Sequence, residues 1–186
     1  LILKFNPTSI PGVVLIDPDV HQDARGFFLE SYQKEKFRAG GINAEFVQDN
    51  HSQSLKGILR GLHIQLEQIQ AKLVRVTKGE IFDVLVDCRR GSPAFRKWEG
   101  FYLSADNFKQ VYVPPGLLHG FCVMSDVAEV EYKCSNYYHP QSEITVMWND
   151  PNLGIEWPIP NPVLSKKDQN GFKLNDVIGR FPVFKE

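Results

Sequence analysis

Short runs rich in Val, Ile, Phe and Tyr recur along the chain between clusters of Gly, Pro, Asn and Asp. That pattern predicts antiparallel strands folded into a sandwich or barrel. Strands are expected near 12–16, 27–32, 44–49, 58–65, 72–78, 80–87, 98–103, 110–113, 119–124, 127–134 and 144–148. Only 33–39 carries a helical pattern ahead of the tail, and Gly40-Gly41 stops it. Lys78-Gly79 reads as a hairpin turn between two strong strands, and Pro114-Pro115-Gly116 as a corner of the barrel. Beyond residue 151 the chain is rich in Pro, Asn and Asp, which predicts loops and short helical turns wrapped around the barrel and no second domain. The strand 127–134 alternates cleanly, with Ala128, Val130, Tyr132 and Cys134 on one face and Glu129, Glu131 and Lys133 on the other. Tyr132 is therefore expected to point inward.

At 186 residues and 42% hydrophobic content the chain suffices for one core, and 1–186 is read as one domain. The 21 basic and 22 acidic residues leave a net charge of -1, which gives no bulk attraction to nucleic acid or anionic lipid. Neither is expected as a partner, and an anionic ligand needs a dedicated site. No apolar run approaches the roughly 18 residues that cross a bilayer. The opening Leu1-Ile2-Leu3-Lys4 lacks the apolar stretch of a signal peptide, so a cytoplasmic location is expected. Cys88, Cys122 and Cys134 are odd in number and lack Cys-x-x-Cys spacing, which predicts reduced packing residues and neither a disulfide framework nor a zinc knuckle.

Two stretches carry candidate chemistry: Gly57-Ile58-Leu59-Arg60-Gly61-Leu62-His63 running on to Gly79, and Pro114-Pro115-Gly116-Leu117-Leu118-His119. They resemble the two sequence motifs of the cupin superfamily, which implies an all-β, jelly-roll barrel with a few short helical segments. Metal-binding cupins carry His-x-His and a later Glu in the first motif and another His in the second. Here His63 is the first histidine, Gln65 stands in place of the second, and Lys72 occupies the glutamate position. An ammonium repels the divalent cation a carboxylate would hold, so no metal is expected, and no other cofactor. The same charge suits stabilisation of an oxyanion formed during reaction, although a lysine on an ordinary strand is a solvated residue.

A histidine on an apolar strand is by default structural; as a general base it needs a partner that fixes its tautomer, and a carboxylate is the usual choice. Asp168 is the candidate. Ser165-Lys166-Lys167-Asp168 also fits a helix start capped by Ser165, and a capped turn would aim the carboxylate if the tail folds back over the barrel mouth. A buried Tyr132 phenol needs a hydrogen-bond partner, and opposite a base it can deliver a proton to a carbanion. Strict pleating puts Arg60 and His63 on opposite faces. A bulge at Gly61 would bring both to one cavity; without it Arg60 is a surface residue.

Several collinear stretches then resemble one cupin family: 23–31 (DARGFFLES), 46–52 (FVQDNHS), 59–63 (LRGLH), 72–76 (KLVRV), 79–84 (GEIFDV), 103–107 (LSADN), Tyr132-Lys133, 136–138 (NYY), 148–151 (WNDP) and 164–168 (LSKKD). The chain is similar to the dTDP-4-dehydrorhamnose 3,5-epimerases. That resemblance implies a metal-free homodimer that inverts C3 and C5 of dTDP-4-dehydro-6-deoxy-D-glucose. It implies His63 as base paired with Asp168, Tyr132 as proton donor, and Lys72 as stabiliser of an enolate at the C4 oxygen. Substrate contacts implied by it fall on Arg25, Glu30, Gln48, Asn50, Arg60, His119, Glu143 and Lys167, with Tyr138 as a stacking platform. An arginine fork matches phosphate oxygens and stays charged at every working pH. Two segments depart from the pattern: Ile69-Gln70-Ala71 replaces the usual Pro-Gln-Gly, and Val111-Tyr112-Val113 replaces a segment that commonly carries Trp. Both bear on substrate identity more than on reaction type. A single-centre epimerase, a metal-dependent cupin and a non-catalytic nucleotide-sugar binding barrel are the competing readings.

Overall fold

The computed structural model describes residues 1–185. In chain order its strands are β1 (Leu3–Pro7), β2 (Val14–Pro18), β3 (Val20–Asp23), β4 (Gly26–Leu29), β5 (Gln48–Leu55), β6 (Leu59–Gln65), β7 (Lys72–Lys78), β8 (Glu80–Asp87), β9 (Trp98–Ser104), β10 (Gln110–Val113), β11 (Leu117–Val123), β12 (Val127–Cys134) and β13 (Glu143–Thr145). Helix α1 (Lys34–Ala39) lies between β4 and β5, and α2 (Lys166–Gln169) and α3 (Leu174–Val177) lie in the tail. A six-stranded antiparallel sheet, ordered β1-β2-β10-β7-β12-β5, faces a five-stranded one, ordered β13-β6-β11-β8-β9. The architecture is the cupin-type jelly roll, with β3 and β4 forming a separate hairpin.

Burial on both faces explains the most apolar strands. Along β8, Ile81 and Leu85 enter the core between the sheets with Val74, Val76, Val111, Phe121 and Val130. The alternate residues Phe82, Val84 and Val86 face outward, and the tail covers them with Leu153, Leu174, Val177 and Phe181. Each such side chain contributes about 1.5–3 kcal/mol by leaving water. The outer face of the six-stranded sheet is covered by α1, whose Phe37 packs with Ile16, Ile42, Leu73 and Tyr112. Gln33 caps α1, its Oε1 accepting from Lys36 N at 2.6 Å. Among the described residues no helix is long and apolar enough to cross a membrane.

Two expectations need correction. Lys78-Gly79 is not a hairpin turn, because β7 and β8 lie in different sheets and Gly79 carries the chain from one to the other. A side chain at Gly79, at φ +71°, would collide with the Val127 carbonyl and the Ser125 hydroxyl, so the crossing requires glycine. The strand expected at 44–49 begins at Gln48 and runs to Leu55; polar residues occupy both of its faces, so hydrophobic alternation does not mark it. β1 and β3 were not expected, being short and largely exposed. The other strands, α1 and the corner at Pro114-Pro115-Gly116 lie where the pattern puts them, within a few residues.

Candidate active site

One end of the space between the sheets opens as a cleft with two lobes, of about 250 Å³ and about 640 Å³. His63, Lys72, His119, Tyr132, Tyr138 and Glu143 line both. Gln48 and Asn50 add to the smaller lobe, and Arg60, Lys167 and Asp168 to the larger. The polar face of β5 is thus a cleft wall.

A bulge sets the spacing on β6. His63 pairs with His119 and Arg60 with Phe121, so three steps on β6 oppose two on β11. The extra residue brings Arg60 and His63 to the same lobe, and Arg60 Nε donates to Ser54 Oγ at 2.9 Å. Gly61 sits at φ +128°, and a Cβ there would lie 2.6 Å from Gly120 Cα, so the bulge is closed to any side chain.

The same strand holds the tail. Leu59 N donates to Val163 O at 3.0 Å and Val163 N to Gly57 O at 2.8 Å, which delivers Ser165 to the start of α2. Ser165 Oγ accepts from Asp168 N at 3.1 Å and donates to Asp168 Oδ2 at 2.8 Å. Asp168 Oδ1 then lies 2.5 Å from His63 Nε2, with the carboxylate side chain only 4% exposed. Burial pushes the Asp168 pKa up, but the hydrogen bonds from His63 and Ser165 and the His63 and Lys167 charges outweigh it and hold it below its ordinary value. An ionised carboxylate only accepts, so Nε2 carries the hydrogen and Nδ1 is left free. Nδ1 is 3.9 Å from Glu143 Oε1. Glu143 accepts from Tyr138 Oη at 2.9 Å and from Lys167 Nζ at 3.0 Å. Burial raises its pKa, yet Lys167, His63 and Tyr138 together bring it below the usual value.

Lys72 sits on β7 between its register partners Val113 on β10 and Cys134 on β12. Its Nζ is 5.9 Å from the centre of the Tyr132 ring, and burial pushes its pKa down despite the attraction of nearby anions. Burial also pushes the Tyr132 phenol up, with Arg60 opposing only partly, so the phenol stays protonated and able to donate. His119 Nε2 lies 2.8 Å from Asp83 Oδ2, both side chains buried, while Asp83 Oδ1 has no hydrogen-bond partner among the described residues.

This donor set does not fit the divalent cation that many cupins hold. Among the described residues no three or more His, Cys, Asp or Glu side chains cluster suitably. Gln65 is taken up by backbone, its Nε2 donating to Gln68 O and Tyr137 O and its Oε1 accepting from His139 N. Carboxylates engage one ring nitrogen of His63 and of His119, and Lys72 brings a positive charge to the same space.

Two residues carried over from the resemblance stand elsewhere. Arg25, at the β3–β4 turn, pairs with Asp23 at 2.6 Å and is 90% exposed; Glu30 pairs with Lys36 at 2.7 Å. Neither lines the cleft. Sequence reasoning passed over Asp83 and Cys134 as site residues. A lone aspartate in the apolar run 80–87 was the signal for the first, and alternation with Tyr132 for the second.

A jelly-roll fold whose mouth joins an imidazole–carboxylate pair, a half-buried lysine and a phenol held protonated has the make-up of an acid–base cupin. The sequence profile of the dTDP-4-dehydrorhamnose 3,5-epimerases matches residues 7–176, and the chain belongs to that family. It is 53% identical over 171 residues to the dTDP-4-dehydrorhamnose 3,5-epimerase of Shigella flexneri, covering 91% of this chain and 94% of that one. A crystal structure of dTDP-6-deoxy-D-glucose-3,5-epimerase from Legionella pneumophila, in complex with dTDP-4-keto-L-rhamnose, superposes with a TM-score of 0.96 at 44% identity over 100% of both chains. A 3'-monoepimerase from Streptomyces bikiniensis, in complex with dTDP-quinovose, gives a TM-score of 0.89 at 36% identity over 95% of this chain and 92% of that one.

Proposed function

We propose that the protein inverts C3 and C5 of dTDP-4-dehydro-6-deoxy-D-glucose, yielding dTDP-4-dehydro-L-rhamnose through enolate intermediates. The observation that carries this reading is the Asp168–His63 contact at 2.5 Å, which leaves a free imidazole nitrogen in the cleft that Lys72 and Tyr132 also line. Hydrogens beside a ketone are acidic because the electron pair left on carbon moves to the carbonyl oxygen. His63 Nδ1 takes the proton, Lys72 holds the C4 oxyanion, and Tyr132 delivers a proton to the opposite face of the carbon. Exchange with water restores both groups, so each inverted carbon takes a solvent hydrogen. Asp168 orients the ring and faces the positive charge that proton uptake creates. Arg60 and Lys167 suit the diphosphate, Tyr138 offers a stacking platform, and Gln48, Asn50, His119 and Glu143 contact the nucleotide sugar.

The active species is a homodimer in this reading. Arg25 and Glu30 lie outside their own cleft, on or beside a hairpin whose Phe27 and Phe28 are 61% and 65% exposed. A second copy's nucleotide end reconciles that placement with the contacts implied for these two residues. Full activity in a monomer at sedimentation equilibrium would remove this part.

Turnover in deuterium oxide tests the chemistry. Double inversion places one deuteron at C3 and one at C5, read by NMR. Deuterium at only one centre would instead favour a single-centre epimerase, a reading that the likeness to the monoepimerase keeps in view. Absence of exchange at both would reject catalysis on this sugar.

A further inference from the structure

A base that serves two carbons in succession must be emptied between them. After the first inversion His63 Nδ1 holds the hydrogen taken from carbon, and a protonated imidazole cannot take a second. The sugar occupies the cleft at that moment and stands between Nδ1 and bulk water. Of the two carboxylates that engage His63, Asp168 offers no way out: its side chain is 4% exposed, Oδ1 is held at Nε2, and Oδ2 accepts from Ser165 Oγ at 2.8 Å. Glu143 is placed differently. It opens β13, whose Thr145 is the register partner of His63 on β6, so Glu143 and His63 are diagonal neighbours on one face of the sheet. Its Oε1 lies 3.9 Å from His63 Nδ1, the nitrogen that the Asp168 contact leaves free. On its far side the carboxylate accepts from Lys167 Nζ at 3.0 Å and from Tyr138 Oη at 2.9 Å, and both of those side chains reach solvent.

We propose that Glu143 is the exit for the abstracted hydrogen, taking it from His63 Nδ1 and passing it to water beside Lys167 and Tyr138, so that one imidazole serves both carbons without release of the sugar. That role rests on the reading of the site as a 4-keto-sugar epimerase. In the step the Nδ1–H bond breaks and an Oε1–H bond forms, which leaves a neutral imidazole and a neutral carboxyl; the carboxyl then loses the proton to water. The Tyr132 phenolate takes a proton from water, so one hydrogen leaves and one enters for each carbon inverted. A separation of 3.9 Å exceeds the roughly 2.6–3.2 Å at which protons pass, but catalytic hydrogen bonds are commonly long before substrate binds and tighten afterwards. Imidazolium formation supplies the pull, since it sets a positive ring against an ionised carboxylate. Burial raises the Glu143 pKa, yet Lys167, His63 and Tyr138 hold it below its usual value, so the carboxyl gives the proton up readily and is free for the next. Glu143 thus acts through the base and not on the reacting carbon.

The test is a rapid-quench single turnover of dTDP-4-dehydro-6-deoxyglucose in deuterium oxide, with enzyme in excess and labelling at C3 and C5 counted by NMR. In the unmodified protein the second inversion should follow the first without a pause. In Glu143→Gln, which keeps the shape of the side chain but cannot take a proton, the first inversion should run close to its normal rate and the second should slow at least about tenfold, so that singly inverted sugar accumulates. Glu143→Ala should show the same lag, and formate, a carboxylate small enough for the vacated space, should shorten it in proportion to its concentration. A Glu143→Gln protein in which both inversions slow together, or in which only KM rises, overturns the exit and leaves Glu143 a substrate contact. So does a lag that formate does not shorten. If Glu143→Ala lowers Tm enough to blur its kinetics, Glu143→Gln decides alone. Inversion of one carbon only by the unmodified protein also overturns the exit, because one base then no longer serves two carbons, while the acid–base chemistry stands. Lack of exchange at both carbons is a different result, because it removes the epimerase reading and the exit with it.

Discussion

Replacing Asp168 with Asn changes one atom of a carboxylate that is 4% exposed and sits 2.5 Å from His63 Nε2. Shape and volume are kept, so α2 and its Ser165 cap stay in place, but the amide has two orientations and neither reproduces the native bonds. With the amide NH2 toward His63, Nε2 must accept, the ring hydrogen moves to Nδ1, and the nitrogen facing the cleft can no longer take a proton. With the amide oxygen toward His63 the tautomer survives. The Ser165 hydroxyl then loses the acceptor it has at 2.8 Å, and no negative charge balances the imidazolium. The loss expected for disabling a general base in this way is about 10²- to 10⁴-fold in kcat, or about 2.7–5.4 kcal/mol at 1.36 kcal/mol per tenfold. The assay is single-turnover deuterium uptake by NMR, with dTDP affinity by calorimetry as the control, expected within a few-fold of the unmodified protein. The stability difference has a sign as well. The folded Asp168 pKa is depressed below 3.8, so its stabilisation is complete above that value and fades as pH falls through the folded pKa. The Tm gap between the two proteins should therefore narrow in acid. An Asp168→Asn protein that keeps more than about a tenth of kcat would refute the assignment of Asp168 as the group that sets the tautomer.

Three further outcomes follow from the geometry. Tyr132→Phe should slow inversion by about 10²- to 10⁴-fold while leaving proton removal in place, so that recovered substrate carries deuterium without inversion; product at the normal rate would contradict it. Burial lowers Lys72 below its ordinary 10.5, so its ammonium discharges earlier than an exposed lysine as pH rises, and kcat should fall with a midpoint below 10.5. In Lys72→Met that alkaline limb should disappear together with about 10²- to 10³-fold of kcat, and persistence of the limb would assign it to another group. Gly61→Ala should cost at least about 1–3 kcal/mol in urea unfolding from backbone strain alone, and an unchanged midpoint would mean the bulge tolerates a side chain.

Much of this site was legible in the sequence because its signals are local. The spacing that sets Lys72 after His63 and the Ser165-to-Asp168 cap survive into the structure unchanged. Alternation along 127–134 was enough to turn Tyr132 inward. What escaped notice depends on distant partners. β5 shows no hydrophobic alternation because its inward row, Gln48, Asn50 and Ser52, faces a polar cleft and not a core. Lys78-Gly79 misled because a one-residue crossing between sheets and a tight hairpin both ask for glycine at positive φ. The Asp83–His119 pair needs β8 beside β11, and nothing in either segment states that adjacency. Arg25 and Glu30 were marked by resemblance, and the fold of one chain leaves them outside its own cleft.

β6 carries His63 and also, through Leu59, clasps Val163 shortly before Asp168. Acceptor and orienting group, far apart along the polypeptide, are thus mounted on a single beam. Any displacement of that strand carries both ends of the short contact with it. The corollary is local: loss of the Val163 clasp at Gly57 and Leu59 would loosen the turn that aims the carboxylate and leave the imidazole on its strand.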